Sequence, residues 1–243
     1  MTIFKGLSAA ALAGVLLSGC ASPRAAEGPQ DINDPFENFN RFSFNITLAI
    51  DKGISRPTAI VYRRLVPEPV RDTLRNFLNN LDSPIIFTND ILQGKLDRAG
   101  VTLIRAGLNT TIGLGGLVDV AARWGYMRHY EDFGQTLAVY GIGEGPYIFL
   151  PLIGPANPRD ILGWGADLAF DPLTYAQWED KYFWLLGRTG VDYIDLRSRN
   201  LETLDEIERS SLDFYASVRS LYRQTRTNEV RNGATEVQDL PDF

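Results

Sequence analysis

The sequence predicts an all-α fold, and three observations carry that reading. Apolar residues recur at spacings of three and four in several segments, helix-start signals precede them, and turn-rich breaks separate them. Short amphipathic helices joined by such breaks suggest a compact helical body rather than a β-sandwich. The chain has 243 residues, 44% of them hydrophobic, which supplies a sizeable buried surface and excludes wholesale disorder.

In chain order, residues 1–19 have the form of an export signal: Lys5 near the start, an apolar stretch from Leu7 to Leu17, and small residues at the end. Leu17-Ser18-Gly19-Cys20 resembles the bacterial lipobox, whose cysteine is acylated and becomes the first mature residue. The alternative is an ordinary signal peptide with an incidental cysteine. Against it, the chain's one cysteine falls where the lipobox requires it. Acyl chains on Cys20 would anchor the protein without a spanning helix, and none of the later stretches offers the roughly 20 uninterrupted apolar residues that a span needs. Ala21, where inner-membrane retention would use aspartate, favours the outer membrane. Residues 20–32 read as a lipidated flexible tether.

A helical domain is expected over 33–227. Asp34 can cap a helix, Pro35 suits its first position and Glu37 completes a capping-box-like arrangement. Phe36, Phe39, Phe42, Ile46 and Ile50 share one face of it, while Phe44 and Leu48 fall nearly opposite. A helix apolar on two sides has two apolar neighbours, and one of them could be lipid. Further helices are predicted from Pro69 to Leu81, from Ser83-Pro84 onward with Ser83 as cap, and from Lys95 to Leu108. Asn109 to Gly116 then breaks the pattern.

Gly141 to Gly165 is the least ordinary stretch. Gly141, Gly143 and Gly145 permit a hinge, and Tyr147, Ile148, Phe149 and Leu150 form an apolar run expected to face lipid. Pro146, Pro151, Pro155 and Pro158 exclude a continuous helix and remove donors that a central strand would need. The loop ends in Arg159-Asp160, either an ion pair holding it down or a polar patch facing a lipid headgroup. Trp178 to Gly190 is aromatic, suited to a core or to a membrane interface. Leu204, Ile207, Ser211, Phe214, Val218 and Leu221 predict one helix from Leu201 to about Arg226, about 39 Å long, with charges on its other face. Residues 228–243 read as a disordered tail.

Charge and chemistry narrow the function. With 24 Lys and Arg against 30 Asp and Glu the chain carries a net −6, and loss of a leader containing only Lys5 takes it to −7. No basic face exists for nucleic acid. One cysteine and one histidine, His129, exclude an internal disulfide and a Cys- or His-rich metal centre. Neither a G-x-S-x-G elbow nor a phosphate-binding P-loop is present. The chain reads as a non-enzyme without catalytic residues, cofactor or metal.

Several motifs in order resemble one family. They are Asn33-Asp34-Pro35-Phe36-Glu37-Asn38-Phe39-Asn40-Arg41, Pro67-Glu68-Pro69-Val70-Arg71, Asn76-Phe77-Leu78-Asn79-Asn80-Leu81, Leu92-Gln93-Gly94 and Asn109 to Gly116. Asp132-Phe133-Gly134-Gln135-Thr136-Leu137, Tyr140 to Gly143, Gly145-Pro146-Tyr147, Arg159-Asp160, Gly163 and Asp167 follow. This series is similar to the MlaA (VacJ) outer-membrane lipoproteins, and most specifically so from Asn33 to Asp167. The resemblance implies a ring-like assembly of amphipathic helices lying in one membrane leaflet around a central amphipathic channel. Through it, mislocalised phospholipids would leave the outer leaflet for a periplasmic lipid-carrier protein, preserving lipid asymmetry, beside a trimeric porin. A different class of function is a structural, porin-associated lipoprotein without transport activity.

Overall fold

The computed structural model describes residues 33–232, so the leader, Cys20, the tether and the end of the tail lie outside the described residues. The fold is helical. Helix α1 (Glu37–Ile50) passes through a π-helical segment (Asp51–Ser55) into α2 (Arg56–Leu65). Then come α3 (Glu68–Leu81), α4 (Ser83–Leu92), α5 (Leu96–Thr111), α6 (Val120–Arg123) and α7 (Phe133–Val139). A hairpin, β1 (Ile148–Leu150) and β2 (Gly154–Ala156), precedes α8 (Pro158–Phe170), α9 (Lys181–Arg199), α10 (Leu201–Ser210) and α11 (Phe214–Val230). Contacts between neighbours close a circuit: α3 meets α4, α4 meets α7 and α8, α7 meets α11, and α11 meets β2. From there β1 meets α1, α1 continues into α2, α2 meets α9, and α9 returns to α3. That closed circuit is the ring of helices that the resemblance implied. No described helix is long and apolar enough to cross a membrane.

Several local expectations change. Asp34 does not cap α1, because Pro35 and Phe36 form a turn and the cap position falls at Phe36. Asp34 is instead buried, accepting from Asn40 Nδ2 at 2.7 Å and Tyr215 Oη at 2.5 Å and pairing with Arg219. Ser83 opens α4 but the cap position is Asp82, with no side-chain bond. The single helix expected from Leu201 is two: Ser211 is extended, and Asp213 starts α11 by accepting from Ala216 N–H at 3.1 Å. The spacing of three and four survives across that break, which is why periodicity alone misses it. Helix α11 runs to Val230, three residues into the segment expected to be a tail.

The central loop also contains regular structure. Phe149 pairs with Pro155 across the antiparallel hairpin, yet the Phe149 N–H donates outward to Asn40 Oδ1 at 2.8 Å. Such a pair exchanges no ladder bonds, so the missing proline donor costs nothing there. Asn40 Nδ2 also reaches Tyr147 O at 3.1 Å, fastening the hairpin to α1.

Burial is inverted relative to a water-soluble protein. The largest fully buried side chains are polar: Gln135, Glu131, Asn40, Asn89 and Asn157. Large apolar groups such as Leu65, Leu96, Leu114, Trp124, Met127 and Leu168 are exposed. Interiors normally show the opposite preference.

Candidate functional site

Helix α1 has the two apolar faces read from its sequence, and they meet different surroundings. Phe44 is buried with Tyr147, Phe149 and Tyr215, edge-on to Phe149 at 5.3 Å and to Tyr215 at 5.6 Å. On the other side Phe36, Phe39 and Phe42 are 50%, 53% and 64% exposed. Complete burial of a phenylalanine is worth about 1.5–3 kcal/mol, so this row leaves substantial stabilisation unused in water. One apolar neighbour of α1 is therefore protein, and the other face is bare.

The expectation that Tyr147 to Leu150 faces lipid fails for half of its residues. Tyr147 and Phe149 are each only 3% exposed and sit in the aromatic core. The alternation of an extended segment sends Ile148 and Leu150 to the opposite side, where they are half-buried. The exposed apolar tip is one turn further on, at Leu152 and Ile153. Of the three glycines, Gly141 and Gly145 have left-handed backbone, φ 85° and 77°, whereas Gly143 is not among the left-handed glycines.

Arg159 and Asp160 are both buried. Asp160 accepts from Arg226 Nε at 2.8 Å and Nη2 at 2.9 Å, from Tyr222 Oη at 2.8 Å and from Asn157 Nδ2 at 2.8 Å. Arg159 Nε is 3.2 Å away. The same Arg226 guanidinium donates to both oxygens of Asp132 at 2.7 Å. Burial alone would raise the Asp160 pKa, but the bonds and charge of Arg226 outweigh it and hold the carboxyl below its ordinary range. Asp160 ties α8 to α11 while Asp132 ties in α7.

His129, the one residue that could have served a nucleophile as base, meets Asp90 at 2.9 Å and Thr102 Oγ1 at 3.2 Å through the same ring nitrogen. The Thr102 hydroxyl is 2.7 Å from Asp90 itself. The cluster is a polar tie that joins α4 to α5.

The most distinctive cavity lies where α1, the hairpin, α9, α10 and α11 converge. A chamber of ≈ 320 Å³ is lined by Phe44, Leu48, Phe149, Leu196, Leu204, Phe214 and Val218, with Asp51, Arg197, Asp205 and Glu208 at its edge. Asp51, Asp205 and Glu208 also line an adjoining space of ≈ 400 Å³, whose remaining walls are Lys52, Arg56 and Arg209. An apolar chamber and a charged vestibule therefore share three carboxylates. The π-helical turn places Asp51 at the junction, where Arg197 holds it through Nε at 2.7 Å and Nη2 at 2.8 Å. Across the vestibule Lys52 meets Glu208 at 2.5 Å and Arg56 meets Asp205 at 2.7 Å, linking the helix that continues α1 to α10.

Sequence reading missed this site because its walls come from five separate elements. One of them, α9, was not predicted as a helix, and neither was α2, which brings Arg56 to the adjoining vestibule. A signal for the Arg226 node did exist: Tyr215, Arg219, Tyr222 and Arg226 share a face at helical spacing. That face is the buried one, so the expectation of charges only on the solvent side of α11 is overturned, and Leu221 is the exposed residue instead.

Residues 32–229 match the family described as MlaA lipoprotein. The intermembrane phospholipid transport system lipoproteins MlaA of Shigella flexneri and Escherichia coli K12 are each 36% identical, over 97% of this chain and 93% of theirs. The Haemophilus influenzae counterpart is 33% identical over 98% of this chain and 96% of its own. A solved chain, described under the structural basis for maintenance of bacterial outer membrane lipid asymmetry, superposes with a TM-score of 0.74. It is 35% identical and covers 81% of this chain and 98% of that one.

Proposed function

The chain belongs to the MlaA lipoprotein family, and from that premise we propose that it is a phospholipid-transport lipoprotein of the bacterial outer membrane. The observation that carries the proposal is the apolar chamber adjoining a charged vestibule, inside a molecule that exposes many large apolar side chains. A phospholipid in transit must keep its tails away from water and its headgroup solvated, because desolvating a charged group costs several kcal/mol. A chamber and a vestibule that share walls meet both needs together.

In this reading Phe36, Phe39, Phe42, Leu152 and Ile153 rest in hydrocarbon, and Cys20 carries the lipid anchor. Phospholipid misplaced in the outer leaflet enters the protein, threads its tails past Phe44 and Val218, and leaves toward a periplasmic carrier. A trimeric porin beside it would hold the assembly in place. Gly141 is the hinge of the segment leading to the hairpin, since its φ of 85° disfavours any β-branched side chain. Gly141→Val should slow lipid movement, whereas Gly143→Val should affect it less. Equal activity of Gly141→Val and the unaltered protein would remove the hinge from the account.

The test of the function is reconstitution of the full lipidated chain in vesicles with fluorescent phospholipid and a soluble carrier as acceptor. Transfer above empty vesicles is expected. A purely structural role would leave the two rates equal.

A further inference from the structure

We infer that the charged vestibule receives zwitterionic phospholipid headgroups in preference to net-anionic ones. The inference rests on the reading of the adjoining chamber as an acyl-chain site and adds to it a headgroup class.

The vestibule walls carry three cations, Lys52, Arg56 and Arg209, and three carboxylates, Asp51, Asp205 and Glu208. This is not a basic basin of the kind that attracts an anion by net field. Charges of both signs alternate along it within contact distance, with Lys52 on Glu208 at 2.5 Å and Arg56 on Asp205 at 2.7 Å. A phosphodiester bearing an ammonium group presents the same two signs on neighbouring atoms. Its phosphate can lie against Lys52 and Arg56 while its ammonium lies against Glu208 and Asp205, and every charge remains paired. A headgroup with a phosphate alone would occupy the cations, leave Glu208 without its ion-pair partner and leave Asp205 with only the more distant Arg197 at 3.9 Å.

The exchange is accessible because the pairs it replaces are open to solvent. Lys52 and Glu208 are 53% and 35% exposed, and Arg56 and Asp205 are 42% and 29% exposed. Ion pairs of that kind contribute little to the folded state and part readily. The pair that must not part is Arg197 with Asp51, where the side chains are 7% and 17% exposed and the bond is two-pronged. It forms the fixed sill between vestibule and chamber, and its geometry keeps the headgroup on the charged side.

The experiment incubates the full lipidated chain with vesicles of equal parts phosphatidylethanolamine and phosphatidylglycerol carrying identical acyl chains. Lipid that co-purifies with the protein is then quantified by mass spectrometry, with a second series in which phosphatidylcholine replaces phosphatidylethanolamine. The expected result is about threefold enrichment of either zwitterionic lipid, the scale that a modest charge-pairing difference supports. Glu208→Gln, with its fold checked by circular dichroism and melting, should bring the ratio close to one by removing a partner of the ammonium. Equal retention of both lipids by the unaltered protein, or enrichment of phosphatidylglycerol, overturns the inference and leaves the chamber reading standing. Retention of neither lipid above a protein-free control contradicts the chamber reading, and the inference falls with it.

Discussion

Arg226 is where single-residue chemistry matters most. Its guanidinium meets Asp132, Asp160 and Glu229 from one helix position, and its side chain is 8% exposed. Deleting one member of a buried charge network strands the others, at a cost of about 3–5 kcal/mol. Arg226→Met should therefore lower stability by roughly that amount in denaturant unfolding, and a change within error would show the network to be ornamental. Asp167 makes the opposite case. Burial pushes its carboxyl up to about 6, and the bonds from Asn89 Nδ2 and the Phe133 N–H restrain that rise only in part. A raised folded-state value means that the folded protein binds this proton more tightly than the unfolded chain does. The stabilisation is then complete below about pH 4 and is lost as pH rises through about 6. Asp167→Asn should flatten that descent between pH 4 and 6, measured by melting temperature across the range. An unchanged slope would remove Asp167 as its source. In the sequence Asp167 stood out only by its place in a motif and Arg226 only by its helical spacing with Tyr215, Arg219 and Tyr222, because burial among charges is set by elements distant along the chain.

At the scale of elements, the crossing of α7 and α8 sets how closely the ring can pack. A β-carbon placed on Gly163 would lie 2.4 Å from the backbone nitrogen of Gly134 and 2.8 Å from its α-carbon. Backbone cannot yield as a side-chain tip can, so Gly163→Ala should cost about 1–3 kcal/mol by overpacking. Gly165, two residues along the same helix, has nothing within 4 Å of such an atom, and Gly165→Ala should be neutral or slightly stabilising by helix propensity. Thermal melts of the pair decide it: equal shifts for both would show that the crossing is not tight. Helices α3, α4 and α5 were legible because their stripes and starts are local properties. The hairpin was concealed by its prolines, which act as strand breakers only where a ladder bond is required. The division of α10 from α11 was concealed because their apolar spacing runs through the break. Helices α2 and α9 carry arginines that pair with acidic residues more than a hundred positions away, so their partners cannot be read locally.

For the whole molecule, the largest fully buried side chains are polar, many large apolar side chains are exposed, and one apolar chamber is set against charge. The all-α class was readable from periodicity and helix-start signals. The chamber was not, since it exists only after five elements close around it. The apolar exterior was half readable: α1 showed two apolar faces, but only the folded chain shows that Phe44 turns inward while Phe36, Phe39 and Phe42 remain bare. A molecule built in this way is stable when its exterior meets hydrocarbon, and the chamber offers tails the same environment on the inside. The central claim, that phospholipid tails pass through this chamber, is tested most directly by filling it. Val218→Trp places a large ring among Phe44, Phe149 and Phe214, the apolar walls of the chamber. With folding verified, reconstituted vesicles should show carrier-dependent phospholipid transfer reduced at least about tenfold, which corresponds to roughly 1.4 kcal/mol on the barrier. Transfer at the unaltered rate through a folded Val218→Trp protein would contradict the account.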